Sequence, residues 1–283
     1  MFAVAAYTQL YIVGFEVVSL SRRFLLLSLC VFSLLPLSAL RASECSVLTA
    51  AGNVEYSPYL WRQGGDNGEV IGANRLVIDE IARRLDITIQ LLDVGSWARA
   101  QEMLKRGKVD LMAGIFYTEP RTMYMNYISP AFFKTASVVW RKSNTQASYN
   151  SRDDLIDLHG VTVINNSFGQ GFDEYAKEKL NLTYVPSLGQ AFLMLDRGRA
   201  DYVLYEKNPG LAYAELLGYK GHFDVLEPPI SAEGLHLAIS KKSKCNTAVL
   251  RKRLALVISD MQTEGFMDQA LSKGFENWRL FLD

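Results

Sequence analysis

The sequence predicts an α/β protein of two lobes, each a mostly parallel sheet with flanking helices. Three observations carry that reading. The first is an internal echo. MLKRGKVDLMAG (103–114) and MLDRGRADYVLY (194–205) share Met-Leu-x-Arg-Gly-basic-x-Asp before an apolar strand, and upstream RRLDITIQLL (83–92) parallels EKLNLTYVPS (178–187). A helix–strand–helix–strand unit therefore occurs twice, once in each half of the chain. The second is helical periodicity between the strands. The third is that the strands VDLMAGI (109–115) and DYVLY (201–205) are short and mostly apolar, as strands covered on both faces are. Alternating strands and helices point to parallel sheets.

Each element has a local reason. Val77, Ile81 and Leu85 form one apolar stripe, and Trp97, Ala100 and Leu104 form another that Gly107 stops. Leu188, Ala191, Phe192 and Leu195 fall at i, i+3, i+4 and i+7, after a capping-box start at Ser187 and Gln190 and before a stop at Gly198. Leu250, Leu254, Val257, Ile258 and Met261 mark a later amphipathic helix. Gly265 breaks it and FMDQALSKGFENW begins another, with no strand between, so the pair is expected to pack back on one lobe. Asp110 and Asp201 belong to the repeat at strand starts and are read as structural turn residues.

The chain has 283 residues, 49% hydrophobic and 21% charged, enough for a substantial core. Thirty basic and thirty acidic residues cancel, which argues against an electrostatic hold on nucleic acid or an anionic membrane. In RRFLLLSLCVFSLLPLSALRA, Arg22 and Arg23 precede an apolar run and then small residues, the order of a secretory signal. Cleavage after Ala39 or Ala42 fits, so residues 1–42 are read as a signal peptide rather than a membrane anchor. Export leaves Cys45 and Cys245, an even number in an oxidising compartment, which favours a disulfide between them over two buried thiols. His159, His222 and His236 are scattered and none lies near a cysteine, so neither metal nor cofactor is expected.

In open α/β sheets ligands sit beyond the carboxyl ends of the strands. Two such edges face each other in a two-lobed molecule. Gly114 to Arg121 follows the first strand and offers backbone donors, Thr118 and a guanidinium suited to a bidentate clamp on a carboxylate. Glu206 to Gly210 follows the second and offers a carboxylate. A zwitterion fits between them, its carboxylate on Arg121 and its ammonium on Glu206. Tyr56 and Trp97 are candidate stacking residues, Arg99 a second cation at the cleft, and Ser167 a hydroxyl donor.

These residues resemble the polar-amino-acid class of bacterial extracellular solute-binding proteins, with the type II periplasmic binding fold. The resemblance spans about residues 45–280. It rests on VEYSPYLW, GEVIGANRLVIDEIARRL, SWARAQEMLKRGKVDLMAGIFYTEPR, YISPAFF, RGRADYVLYE and TEGFMDQALSKGFENW, in that order. It implies two lobes (43–136 with 237–283, and 137–236), two hinge crossings near 135–140 and 233–239, and closure on a small solute. It further implies that Arg121 grips an α-carboxylate, Gly114 lends a backbone N–H, Glu206 holds an α-ammonium and Tyr56 stacks on the guest. The chain departs from the pattern at Asn74, where aspartate is usual, at Phe116, where a small hydroxyl residue is common, and at Glu206, where aspartate is usual. The loop NNSFGQGF is also bulkier, keeping only Ser167 as a hydroxyl. Phe116, Phe168, Trp97, Tyr117 and Tyr205 point to an apolar or aromatic-lined pocket.

The expected function is a non-catalytic, monomeric periplasmic receptor for an amino-acid-like or carboxylate-bearing solute, feeding an inner-membrane ABC permease. Two alternatives are carried. One is an enzyme on the same scaffold, similar to cyclohexadienyl dehydratases, with Glu206 or Glu174 as the acid–base group. The other is a ligand-sensing partner of a membrane signalling protein. No Ser–His–Asp set, nucleophilic cysteine or phosphate loop is visible.

Overall fold

In a computed structural model, residues 45–64, 68–145 and 149–282 are described; the signal-peptide reading of residues 1–42 falls outside them. An eight-stranded sheet organises the rest. Its first half sets β1 (Val47–Ala51) between β5 (Thr88–Leu91) and β6 (Leu111–Phe116), all parallel. Its second half sets β8 (His159–Val163) between β9 (Asn181–Val185) and β10 (Tyr202–Glu206), again all parallel. Two 18-residue strands, β7 (Met125–Lys142) and β11 (Phe223–Ser240), lie between the halves and pair antiparallel with each other along both. The full order is β5-β1-β6-β11-β7-β10-β8-β9. A small antiparallel sheet of β2 (Glu55–Tyr56), β3 (Leu60–Gln63) and β4 (Glu69–Ile71) stands apart from it.

The repeat seen in the sequence is the repeat in space. Helices α1 (Ala73–Leu85) and α2 (Trp97–Arg106) flank β5 in the chain as α4 (Gln170–Lys179) and α5 (Leu188–Asp196) flank β9. Short α3 (Glu119–Thr122) follows β6, and α6 (Lys207–Leu216) follows β10. The two repeat aspartates do the same work. Asp110 accepts the Thr49 backbone N–H at 2.8 Å, and Asp201 accepts that of His159 at 2.8 Å. Each ties the start of its own strand to the strand beside it, and each strand begins just after its aspartate.

The apolar stripes bury as their spacing requires. Val77, Ile81 and Leu85 on α1, Trp97, Ala100 and Leu104 on α2, and Leu188, Ala191, Phe192 and Leu195 on α5 are all buried. Ser96 and Ser187 cap α2 and α5 through bonds from Arg99 N and Gln190 N. The last helices, α7 (Ala248–Thr263) and α8 (Phe266–Leu282), are separated at Gly265. On α7, Leu250, Leu254, Ile258 and Met261 are buried, and Val257 at the stripe's edge is only partly so. A fully buried leucine or isoleucine here contributes about 1.5–3 kcal/mol. Gly274 on α8 permits close packing on α1, because a Cβ there would lie 2.6 Å from Pro58 O and 3.1 Å from Ala73 Cβ.

Strand register creates the cleft. Phe116, the end of β6, pairs with Leu235 of β11, which pairs with Phe133 of β7. Glu206, the end of β10, pairs with Ser137 of β7. Because β10 runs antiparallel to β7 while β6 runs parallel to it, the two carboxyl ends point toward each other. Four residues of β7, from Phe133 to Ser137, separate their levels, about 13 Å at a rise of roughly 3.4 Å per residue. Between the last β6 pair and the last β10 pair the ribbon crosses at 133–137 of β7 and 231–235 of β11. Both overlap the first residues of the windows expected for the crossings, 135–140 and 233–239.

A disulfide joins Cys45 to Cys245, residues 200 apart with Cα atoms 5.6 Å apart, and so fastens the start of β1 to the loop before α7. Replacing both cysteines by serine is expected to lower unfolding stability by about 2–4 kcal/mol. Denaturant titration checks the loss, and mass spectrometry of the unreduced, alkylated parent should find neither thiol labelled.

Candidate functional site

Beyond the facing ends of β6 and β10 lies a narrow cavity, partly open to solvent. From the first half of the molecule it takes Asn53, Tyr56, Asn74, Trp97 and the end of β6 from Ala113 to Phe116, with Arg121. From the second half it takes Asn166, Ser167 and Glu206, and Leu235 of β11 completes it.

Arg121 reaches the cavity through a local fold-back. After β6, Thr118 precedes the single turn of α3, whose Pro120 suits a helix start. That turn brings the guanidinium back onto the strand it follows. Its Nη1 donates to Phe116 O at 3.0 Å and its Nη2 to Asn165 O at 3.0 Å, leaving the group 7% exposed. Asn165 belongs to the second half and has φ +61°, the left-handed region. Gln101 Nε2 also donates to its carbonyl, at 3.1 Å. Further bonds cross between the halves: Glu119 N to Gln170 Oε1 at 3.1 Å, Asn53 Nδ2 to the Tyr205 hydroxyl at 3.3 Å, and Asn208 Nδ2 to the Tyr59 hydroxyl at 3.1 Å. The two halves are therefore closed on one another.

Gly114 must be glycine on two counts. Its φ is +103°, and a Cβ would lie 2.5 Å from Asn74 Nδ2. That amide donates to Ala113 O at 2.8 Å, and its Oδ1 has no partner. Trp97 Nε1 and the Tyr56 hydroxyl are likewise buried without a hydrogen bond, although the hydroxyl faces Glu206. Three residues of the cavity wall thus each keep a buried polar atom without a partner, which is uncommon in a folded interior.

Glu206 is 1% exposed. Burial pushes its carboxyl up to about 7, opposed by its own backbone N–H, Asn166, Tyr56 and the Arg121 charge. Asn166 Nδ2 donates to it at 3.5 Å. Burial, with the neighbouring Glu206, also raises Tyr56 well above the usual tyrosine range.

Seven of the sequence-selected residues therefore share this cavity: Tyr56, Trp97, Gly114, Phe116, Arg121, Ser167 and Glu206. Two others are placed elsewhere. Thr118 lines a neighbouring cavity, beside Gln101, Lys105 and Asp173, which shares Arg121, Asn166 and Ser167 with the first. Arg99 lines neither and is exposed, because a residue two positions from Trp97 falls on another face of α2. The role expected of Ser167 is corrected as well. Its hydroxyl proton goes to Asp173 Oδ2 at 2.5 Å, so toward a guest it can only accept. Phe168 packs on Phe172 in the second-half core, Tyr117 is 49% exposed against Tyr127, and Tyr205 is buried behind the wall. Glu174 is exposed and accepts from Gln170. Asn53 and Asn166 carried no recognisable sequence signal.

The sequence profile of the bacterial extracellular solute-binding proteins, family 3, matches residues 48–277. The chain belongs to that family. Solved structures share the fold of this solute-binding protein. A mutant of ArgBP from T. maritima is 20% identical at a TM-score of 0.68, over 82% of this chain and 96% of that one. AbpA from Streptococcus pneumoniae, an amino acid ABC transporter substrate-binding protein bound to L-arginine, is 19% identical at a TM-score of 0.68, over 82% and 96%. Another amino acid ABC transporter substrate-binding protein is 22% identical at a TM-score of 0.67, over 81% and 99%. No curated protein matches the solute-binding protein in sequence. The family and these relatives are binding proteins rather than enzymes, and the fold is the type II periplasmic binding fold.

The buried carboxyl gives this solute-binding protein a stability profile that can be measured. A carboxyl raised on folding costs nothing below its unfolded value of 4.5, where it is protonated in both states. Its penalty grows as pH rises and is full above about 7. Glu206→Gln removes the ionisable group at nearly constant shape. The variant should match the parent near pH 4.5 and exceed it at pH 8 by up to ~3 kcal/mol, read by urea unfolding at the two pH values without ligand.

Proposed function

We propose that this chain is a periplasmic receptor that captures a small amino-acid-like, carboxylate-bearing solute between its lobes for an inner-membrane ABC permease. One observation carries the reading. Arg121 and Glu206 come from opposite halves of the molecule, are both buried, and line the same cavity. The guanidinium takes the guest's carboxylate, with the Gly114 backbone N–H beside it. Glu206 takes the ammonium, Ser167, whose proton is held by Asp173, offers an acceptor beside it, and Tyr56, Trp97 and Phe116 face the guest's body.

The lobes divide as 43–136 with 237–283, and 137–236, around β7 and β11. Residues 1–42 direct export to the periplasm and are removed, and the receptor acts as a monomer. The guest stabilises the closed form by its greater affinity for it. Two relatives described as amino acid ABC transporter substrate-binding proteins support the permease partner.

A thermal-shift screen of the purified protein against amino acids, amines, dipeptides and organic acids tests the reading. A guest at 100 times its dissociation constant adds about 2.7 kcal/mol of stability. Arg121→Ala should weaken binding of that guest by roughly 2–5 kcal/mol, and Arg121→Lys should recover only part, since lysine lacks the planar fork. Near-parental affinity in Arg121→Ala removes the clamp from the scheme. Binding through the ammonium should also strengthen as pH rises through about 7, where Glu206 ionises, facing Arg121, Tyr56 and Asn166.

The same raised carboxyl favours one second reading, acid–base chemistry on a bound solute. Turnover of prephenate or arogenate by the purified protein would displace the receptor reading.

A further inference from the structure

The charge count of the cavity limits the kind of guest it accepts. Among its described lining residues, Arg121 and Glu206 are the charged ones, one of each sign. A zwitterionic head uses both, so nothing charged is left for the guest's tail. The neighbouring cavity adds two acids, Asp173, which already accepts bonds from the Ser167 hydroxyl and the Phe168 N–H, and Glu102, which is paired with Arg106. A charged tail would be stripped of water with no opposite charge beside it, which is strongly unfavourable.

Polar capacity remains in the wall nonetheless. Asn74 is 2% exposed, and its Nδ2 is committed to Ala113 O at 2.8 Å. That bond leaves the acceptor, Oδ1, without a partner. Trp97 is 8% exposed and its Nε1–H, which can only donate, is also without one. Both residues line the cavity beside the apolar side chains of Ile115, Phe116 and Leu235, and each keeps one buried polar atom without a partner, an acceptor on Asn74 and a donor on Trp97.

We infer that the guest is an α-amino acid with an uncharged tail carrying both a donor and an acceptor, as a carboxamide does. The inference rests on the receptor reading above. The tail N–H meets Asn74 Oδ1 and the tail carbonyl meets the Trp97 Nε1–H. A hydroxyl, with a single proton and one oxygen, spans less of this pair, and an aliphatic tail satisfies neither partner. A guanidinium or ammonium offers only donors to the indole N–H, and a carboxylate sets an anion against Asn74 Oδ1. L-Arginine, the guest of one solved relative, is therefore disfavoured here.

Calorimetric titration of the purified protein with L-glutamine, L-asparagine, L-leucine, L-arginine, L-lysine and L-glutamate decides the matter. A carboxamide should bind at least about tenfold more tightly than leucine and than every charged tail, ~1.4 kcal/mol per tenfold. Trp97→Phe should narrow the gap between the carboxamide and leucine to within about threefold, since one tail bond of ordinary strength is lost. Asn74→Asp, which adds a second carboxylate, should raise arginine relative to glutamine; if that variant does not fold, Trp97→Phe decides alone. A charged tail or leucine binding as tightly as the carboxamides overturns this inference and leaves the receptor reading standing. Failure of all these amino acids to bind overturns this inference; if no compound of the thermal-shift screen binds either, the receptor reading falls with it.

Discussion

Because β7 and β11 pair with each other through both halves of the sheet, the carboxyl ends of β6 and β10 are forced to face one another across a short gap. Everything at the cavity follows from that register. The chain leaving β6 delivers Arg121 and the chain at the end of β10 delivers Glu206, so two side chains 85 positions apart meet through the antiparallel ribbon and not through local sequence. A one-residue slip in either outer pairing would turn every side chain of that strand to the other face. The charges would then no longer share a wall.

The electrostatics of the site are unbalanced in a specific way. Arg121 is held by neutral carbonyls, Phe116 O and Asn165 O, which orient the guanidinium without cancelling its charge. Glu206 lies in the opposite wall with weak support from Asn166. Each group has lost water and gained less than a full counter-charge. In a low-dielectric space such groups interact strongly with any complementary dipole that enters. Asn74 and Trp97 add directional bonding at fixed positions, because packing and the Ala113 bond leave the amide little freedom.

Much of this was legible in the sequence, and the rest was not for identifiable reasons. The echo between residues 103–114 and 194–205 foretold matching α2–β6 and α5–β10 units, because short apolar strands and capped amphipathic helices are local signals. Arg121 and Glu206 stood out because charges directly after buried strands are unusual. Arg99 was misplaced by helix phase, which proximity in sequence to Trp97 conceals. Ser167 was legible as a hydroxyl but not as one whose proton is engaged, since Asp173 approaches it only when α4 is formed. Phe168 and Tyr205 read as pocket aromatics, yet tertiary packing assigned them to the core and to a support behind the wall. Asn53 had no pattern, and Asn166 lay in the loop NNSFGQGF with nothing to single it out from its neighbours. Their position depends on loops brought together by the fold.

The carbonyl of Asn165 draws bonds from both Gln101 and Arg121. The cation suited to gripping a solute is thus also a fastening between the two halves, and Gln101 fastens the same point from outside the first cavity. Departure of a solute does not by itself undo those fastenings. The two halves are thus held together partly at a backbone oxygen outside the cavity's lining, so what fastens the molecule and what lines its cavity are different groups that share one cation.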